Sequence, residues 1–499
     1  MVLGEKLRKM EKGQILEVLI EDMGSEGEGI GRWEGMAVFV PGAVTGDMAE
    51  VQIVKVKKRY AMARCIEIKK ASPLRNGAFS CRHFEEGCGG CGFGALGYEA
   101  QLSIKEKQVR DKLIRIGEIE DPAVKAIIGM KEEDNRGRGR FRYRNKAQFH
   151  VASADEGFSD GDRRGGPAPA VGFYRRKSRR VIDCGDCLLQ TEAAMAAAGA
   201  LRRFMDEFHV PAWDPVRKKG LIRRLIVKSA FGTEEVMAVI VIKGGEIPHA
   251  EELIRAVDEA VYEAGSYLES IVVNVQEDTA DEGLGKKSFV LAGKPTIKDC
   301  LGGMEFEISP ESFYQVNPVQ TERLYERVRE YCGLTGKEIL LDIYCGVGAI
   351  GLFCASRAGY VIGIETVKSA VLDANRNAVI NGIVNARYIE GRAEDILPRC
   401  LSSHWEEEEI DPQLASMIKN ADVAVLDPPR AGCMPNLLEA VAAAGVKKIV
   451  YVSCDPATMA RDVKLLKTLG YEFIEATPVD MFPNTGSVET VVLLSHKKT

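Results

Sequence analysis

From Glu338 onward the chain alternates short apolar runs with helical periodicity, and this alternation constrains the fold more than any other feature. Strand patterns fall at 338–343, 360–364, 386–390, 422–426, 448–452, 471–479 and 488–494. Helical patterns lie between them at 367–380, in segments reaching 418, and at 434–443 and 456–468. Repeated strand–helix units of this kind build a parallel, doubly wound, Rossmann-like α/β sheet. Such sheets bind their ligands at the carboxyl ends of the strands, so the residues that end each strand carry the functional reading.

The first strand ends at Asp342 and runs into Tyr344-Cys345-Gly346-Val347-Gly348-Ala349-Ile350-Gly351, with Glu365 about 20 residues on. By spacing this is a dinucleotide fingerprint. Asp342, however, stands where a pyrophosphate would be repelled. A carboxylate there suits S-adenosylmethionine (SAM), which has no phosphate and a cationic amino-acid end; Glu365 would accept from its ribose. The plainer alternative for Asp342 is a charge at a helix N-terminus.

Two further strand ends are unusual. Asp427-Pro428-Pro429-Arg430 follows Val423–Leu426, and paired prolines cannot continue a central strand. They stiffen a turn suited to a flat ring. The strand 449–452 delivers Cys454, followed at once by Asp455-Pro456. Downstream, Glu489 starts an apolar run. A thiol, a carboxylate and a nucleotide-type cofactor suggest methylation of a pyrimidine at carbon 5. Thiolate attack on carbon 6 makes carbon 5 nucleophilic, and a base then removes the carbon-5 proton. The plainer alternatives are a small core thiol for Cys454 and an edge-strand glutamate for Glu489.

At 499 residues the chain is long enough for about three domains of ~150 residues each. Residues 1–10 read as a leader. Residues 13–69 show about five short strands, as in a small OB-type barrel. Gly27-Glu28-Gly29-Ile30-Gly31, Val38-Phe39-Val40-Pro41-Gly42 and Gly46-Asp47 resemble the TRAM module, an RNA-binding barrel. Residues 98–117 read as a helix, and the region to about 276 as α/β with unreadable connectivity. It includes a Gly-, Asp- and Pro-rich loop over Ala154–Pro169.

Cys81, Cys88 and Cys91, the last two flanking a Gly-Gly pair, suit zinc or an iron–sulfur cluster. Cys184 and Cys187 are later candidates for a fourth ligand. Net charge is −6, yet 136–180 carries 13 Lys/Arg against 4 Asp/Glu with aromatics between them, a composition suited to RNA. No signal peptide or membrane span is expected. Thirteen cysteines without a secretion signal point to a reducing, cytoplasmic setting.

Taken together these residues resemble the RNA uracil-5 methyltransferases. Phe313-Tyr314-Gln315-Val316-Asn317-Pro318 is similar to the family's cofactor-side motif, which implies Gln315 as a SAM ligand. The match over Asp342 to Gly351 adds Tyr344, Gly346 and Gly348, and Glu365 and Asp427 match further cofactor or substrate positions. Ser453 to Asp462 resembles the nucleophile segment around Cys454, and Glu489 the base. Arg144-Asn145-Lys146 with Gly172-Phe173-Tyr174 resembles the central RNA-facing segment.

The TRAM-like start and the cysteines resemble the iron–sulfur branch. That implies a 4Fe–4S cluster on Cys81, Cys88, Cys91 and Cys187, with Cys184 a competing fourth ligand. The branch favours ribosomal RNA, with the transfer RNA T-loop as alternative, and a monomer. The expected division is 1–70 barrel, 71–310 central cluster and RNA domain, and 311–499 catalytic domain. Ser487 and Gly94 depart from the family's usual His and Gln. A nucleotide-dependent iron–sulfur oxidoreductase, an amino-group methylase and a non-catalytic RNA binder are the competing readings.

Overall fold

A computed structural model describes residues 10–76, 81–130, 137–153, 169–277, 283–402 and 410–497. The leader before Met10, Arg136 and, but for Pro169, the loop expected over 154–169 lie outside these residues.

Strands β1 (Ile15–Met23), β2 (Glu28–Trp33), β3 (Met36–Pro41), β4 (Met48–Val56) and β5 (Tyr60–Lys70) close a barrel in the order β1-β2-β3-β5-β4. Val18, Ile20, Val38, Val40, Val51 and Ile53 fill it.

The middle of the chain forms a second sheet from β6 (Lys146–Ala152), β7 (Ala170–Tyr174), β8 (Val181–Asp183), β9 (Ile222–Ser229), β10 (Glu235–Ile242), β11 (Tyr267–Val275) and β12 (Lys287–Gly293). Its order is β12-β11-β10-β9-β6-β7-β8. One face packs on helices Glu192–Glu207 and Ala250–Glu263. On the other, Met237, Val239, Val241 and Val272 merge with the core of the C-terminal sheet, across the hairpin β13 (Ile297–Leu301) and β14 (Met304–Ile308).

The C-terminal sheet contains β15 (Ile339–Ile343), β16 (Tyr360–Glu365), β17 (Ala386–Glu390), β18 (Val423–Leu426), β19 (Lys448–Ser453), β20 (Tyr471–Val479) and β21 (Glu489–His496). The order is β17-β16-β15-β18-β19-β21-β20. Alternate residues build its two cores, as a pleated strand buried on both sides requires. Leu340, Val361, Val423, Val425, Val450 and Val452 face helices Pro318–Cys332, Ala349–Ala355 and Lys368–Ile380. Leu341, Ile343, Ile362, Ala424, Leu426 and Ile449 face helices Ala393–Ser402, Pro435–Ala443 and Pro456–Thr468. Each fully buried side chain of this kind is worth about 1.5–3 kcal/mol.

One expectation is corrected: the sheet is not parallel throughout, because β21 runs antiparallel between β19 and β20. The connection 480–488 is the reason. It is shorter than the dozen or so residues a parallel crossover needs.

Three helices start at Asx-Pro pairs: Asn317-Pro318, Asp411-Pro412 and Asp455-Pro456. The side chain caps the first turn while proline gives up an amide that would be unpaired anyway. At the first of these the Asn317 side chain accepts from Gln320 N.

Helix Tyr98–Arg115 packs on helix Pro456–Thr468, with Val109 and Leu113 in the C-terminal core. The segment after it pairs with the outer edge of β20, Val124 beside Ala476 and Ile128 beside Val479.

Candidate active site

Parallel register aligns the strand ends. Ile343 lies beside Leu426, and Leu426 beside Tyr451. Asp342, Glu365, Asp427 and Cys454 thus gather at one edge. Glu489 joins them because β21 is antiparallel: Ser453, just before Cys454, pairs with Thr490, just after Glu489, and the Glu489 charge acts on the Cys454 thiol.

On the glycine-loop side, Tyr344 takes a left-handed backbone (φ 65°) and its N–H donates to Ile364 O. Asp342 is fully buried; its Oδ2 accepts from Gly351 N at 2.8 Å, while Oδ1 has no hydrogen-bond partner. Burial pushes the Asp342 carboxyl up to about 7, Glu365 adding to the rise and Gly351 N–H opposing it. Glu365 receives Gly346 N at 3.1 Å. A Cβ on Gly346 would meet nothing within 4 Å, so the loop is open there. An orphaned carboxylate oxygen beside an open glycine turn fits a ligand with a cationic end.

Gly348 is required for a different reason. Its φ is +79°, and a Cβ would lie 2.7 Å from the Tyr388 ring, whose hydroxyl donates to Gly348 O at 3.1 Å. Gln315 is buried nearby in sequence to the Asn317 cap, and its carbonyl accepts from Asn145 Nδ2 at 2.8 Å.

Cys454 is half-buried between the end of β19 and the N-cap of helix Pro456–Thr468. Asp455 Oδ1 accepts from Ala457 N and Thr458 N at 2.8 and 3.1 Å. Burial raises the Cys454 thiol to about 11, with Glu489 adding to the rise and Arg430 opposing it. Glu489, the first residue of β21, is 4% exposed. Burial and then Asp427 lift its carboxyl to about 8, against the pull of Arg430. Burial and Asp342 hold Asp427 at about 7. A thiol and a neutral carboxyl side by side, both close to a guanidinium, can exchange protons with a bound base.

The sequence reading gave no role to several residues that build this edge. Tyr325 is buried within the field of Asp427, Asp342 and Glu489, and burial followed by these three acids pushes its phenol well up. Helical periodicity makes it look like any core aromatic. Asp462 accepts from Cys433 N at 2.8 Å and from Tyr451 OH at 2.6 Å. Arg461 donates to Ala431 O at 2.9 Å. Together they hold the turn that carries Asp427 and Arg430. Their sequence signal is that they close the Ser453 to Asp462 segment, which resembles the family's nucleophile motif without showing what either side chain holds.

The five candidate thiols Cys81, Cys88, Cys91, Cys184 and Cys187 line one cavity of about 160 Å³. Among the described residues no three His, Cys, Asp or Glu side chains are grouped to hold a single metal ion. Cys184 and Cys187 interact with each other, which pushes one thiol of the pair down and the other up. Cys184 itself lies in the apolar core of the central sheet. Burial raises Cys88 and Cys91.

Beside this cavity opens a cleft of about 710 Å³. Arg144, Arg175, Arg176 and Lys177 line it together with residues of the barrel and 485–487 of the loop before Glu489. Arg176 reaches Cys91 O at 3.0 Å and lies over the Phe84 ring.

Comparison with known proteins matches 297–497 to the family described as tRNA (Uracil-5-)-methyltransferase and 9–66 to the TRAM domain. An RNA methyltransferase of Caldanaerobacter subterraneus subsp. tengcongensis is 40% identical over 98% of this chain and 100% of that protein. One from Halalkalibacterium halodurans is 38% identical over 98% of both. A crystal structure of Pyrococcus abyssi tRNA (uracil-54, C5)-methyltransferase in complex with S-adenosyl-L-homocysteine superposes with a TM-score of 0.70. It is 27% identical and covers 96% of this chain and 100% of that one. No helix among the described residues is long and apolar enough to cross a membrane. Similarity of this extent to named RNA methyltransferases, with the uracil-5 model over the sheet that carries Cys454 and Glu489, makes the chain an enzyme of the RNA uracil-5 methyltransferase family.

Proposed function

We propose that the enzyme methylates carbon 5 of a uridine in RNA, with ribosomal RNA as substrate and SAM as methyl donor. The single observation that carries the reading is the convergence of Cys454 and buried Glu489 at the adjoining ends of β19 and β21, next to the acidic glycine loop. When bound, SAM supplies an electrophilic methyl group. Asp342 and Gln315 would hold its amino-acid end, Glu365 its ribose, and the turn through Tyr344, Gly346 and Gly348 its flank. The Pyrococcus abyssi neighbour, a tRNA enzyme, favours the tRNA T-loop as a second reading.

The chain's own residues divide the work. The Cys454 thiolate attacks carbon 6 of the flipped uracil, opening carbon 5 to methylation. Arg430 and Asp427 border the ring. Glu489 then takes the carbon-5 proton, the carbon 5–carbon 6 double bond re-forms, and the thiolate leaves. The basic cleft receives the RNA backbone.

An iron–sulfur cluster on Cys81, Cys88, Cys91 and Cys187 belongs to the same proposal. What supports it is that the five thiols line one cavity, since thiolates are the ligands such clusters take. Cys184 then supports Cys187 from the core rather than ligating. Held there, such a cluster would tie 81–91 to the segment at Cys187 beside the cleft. The proposal retains the division at 70 and 310, a monomer, and a cytoplasmic setting.

The test is transfer of labelled methyl from SAM to separate pools of unmodified ribosomal and transfer RNA, with the product base mapped. Label as 5-methyluridine in large ribosomal RNA is expected. Label only in transfer RNA would replace the substrate and keep the chemistry. No 5-methyluridine in either pool would refute the function.

A further inference from the structure

Lys105 is a fully buried lysine outside both matched family segments. It sits on helix Tyr98–Arg115 and donates to Asp480 Oδ1 at 2.5 Å, with both side chains 0% exposed. The other Asp480 oxygen, Oδ2, accepts from Tyr98 OH at 2.8 Å. Tyr98 in turn accepts from Met130 N at 2.7 Å. Both oxygens of the carboxylate are thus committed to this one helix.

Asp480 opens the loop 480–488, which ends at Glu489. Five consecutive carbonyls of this loop accept from five separate donors. Asp480 O takes Gln320 Nε2 at 3.1 Å, and Met481 O takes Asn317 Nδ2 at 3.0 Å. Phe482 O takes Lys105 Nζ at 3.0 Å, and Pro483 O takes Tyr143 OH at 3.0 Å. Asn484 O takes Phe93 N at 3.0 Å. Asn484 itself is left-handed (φ 67°); its Oδ1 accepts from Gln101 Nε2 and its backbone N–H donates to Gln101 Oε1. The next three residues, 485–487, line the basic cleft, and Gly486 lies so close to Ser25 of the barrel that a Cβ would strike its carbonyl.

A buried ion pair gives little net stability, because desolvation cancels most of the attraction. What it supplies is a fixed geometry. Here the fixed object is the entry into the strand that begins with the candidate base. We propose that Lys105, with Asp480 and Tyr98, is a positioning clamp that sets the Glu489 carboxylate for removal of the carbon-5 proton, while Cys454 is set by the Asp455 cap at the start of helix Pro456–Thr468. The proposal rests on the uracil-5 reading above.

It separates two halves of the reaction. Attack by the Cys454 thiolate and arrival of the methyl group at carbon 5 do not require Glu489 as base. Release does: the carbon-5 proton passes to the carboxylate, its electron pair restores the ring double bond, and the carbon–sulfur bond breaks. With 5-fluorouridine in place of the target uridine there is no proton to remove, so the reaction halts at the covalent adduct.

The experiment measures, for the intact enzyme, capture of 5-fluorouridine-substituted RNA and turnover on ordinary RNA. For Lys105→Met the expected result is capture within about twofold of wild type and turnover lower by about 10- to 100-fold, the effect of displacing a reacting group by a fraction of an ångström to 1 Å. A denaturant-stable adduct with ordinary RNA accumulates at the same time. Tyr98→Phe removes one hydrogen bond and shows the same pattern more weakly; it decides the matter if Lys105→Met does not fold. Equal loss of capture and turnover, or no change in either, in the folded variant overturns the clamp. Wild-type enzyme that methylates RNA without capturing the fluorinated substrate overturns the uracil-5 mechanism, and the clamp with it.

Discussion

At neutral pH the Glu489 carboxyl, lifted to about 8, rests protonated inside the protein. A base so placed makes the rate of proton removal rise with pH up to about 8 and level off above it, which a pH profile of turnover on saturating RNA checks. The same shift bears on stability. The folded state holds the proton to about 8, while the unfolded chain releases it near the ordinary 4.5. The stability this confers is full below 4.5 and is lost as pH rises through 8. Glu489→Gln removes the ionisation. Its melting temperature relative to wild type is expected to gain more at pH 8.5 than at pH 5, by a few degrees, in thermal melts without ligand. Turnover should fall by about 10² to 10⁴-fold. A melting difference independent of pH would contradict the buried-base account. The identity and strand position of Glu489 were legible in the sequence. Its proximity to Asp427 and Tyr325 was not, because they arrive from other elements.

At the scale of elements, the glycine loop is a packing device as much as a binding one. Gly348 combines a positive φ with a Tyr388 ring 2.7 Å from where a Cβ would stand. Gly348→Ala should therefore cost more than ~1 kcal/mol in stability and weaken SAM binding by about tenfold in calorimetry; unchanged affinity would show that the loop's shape is not what the cofactor reads. The loop was visible as a motif, yet its partner Tyr388 was not, since β17 follows an intervening helix. The helix start at Pro456 was read from the sequence, and those at Pro318 and Pro412 were recoverable in principle, because Asx-Pro pairs carry their own physics. The antiparallel β21 was recoverable in principle from the length of 480–488 alone. The long helix Tyr98–Arg115 was legible as a helix, but its docking on the C-terminal sheet was not: Val109 and Leu113 specify an apolar face without naming what covers it.

For the whole molecule, a net charge of −6 conceals a cleft whose wall carries Arg144, Arg175, Arg176 and Lys177. Binding of RNA there should weaken steeply with salt. Lys177→Ala should reduce affinity similarly across RNA sequences and lower the salt slope by about 1. A sequence-selective loss at unchanged slope would instead assign Lys177 to base recognition. The central proposal is that Cys454 activates carbon 5 of uracil to take the methyl group of SAM and that Glu489 removes the carbon-5 proton. The most direct measurement is release of tritium from RNA labelled at carbon 5 of uridine, alongside methyl incorporation. The account predicts one tritium released per methyl gained, and neither event with Cys454→Ala. Methyl incorporation without tritium release would contradict it.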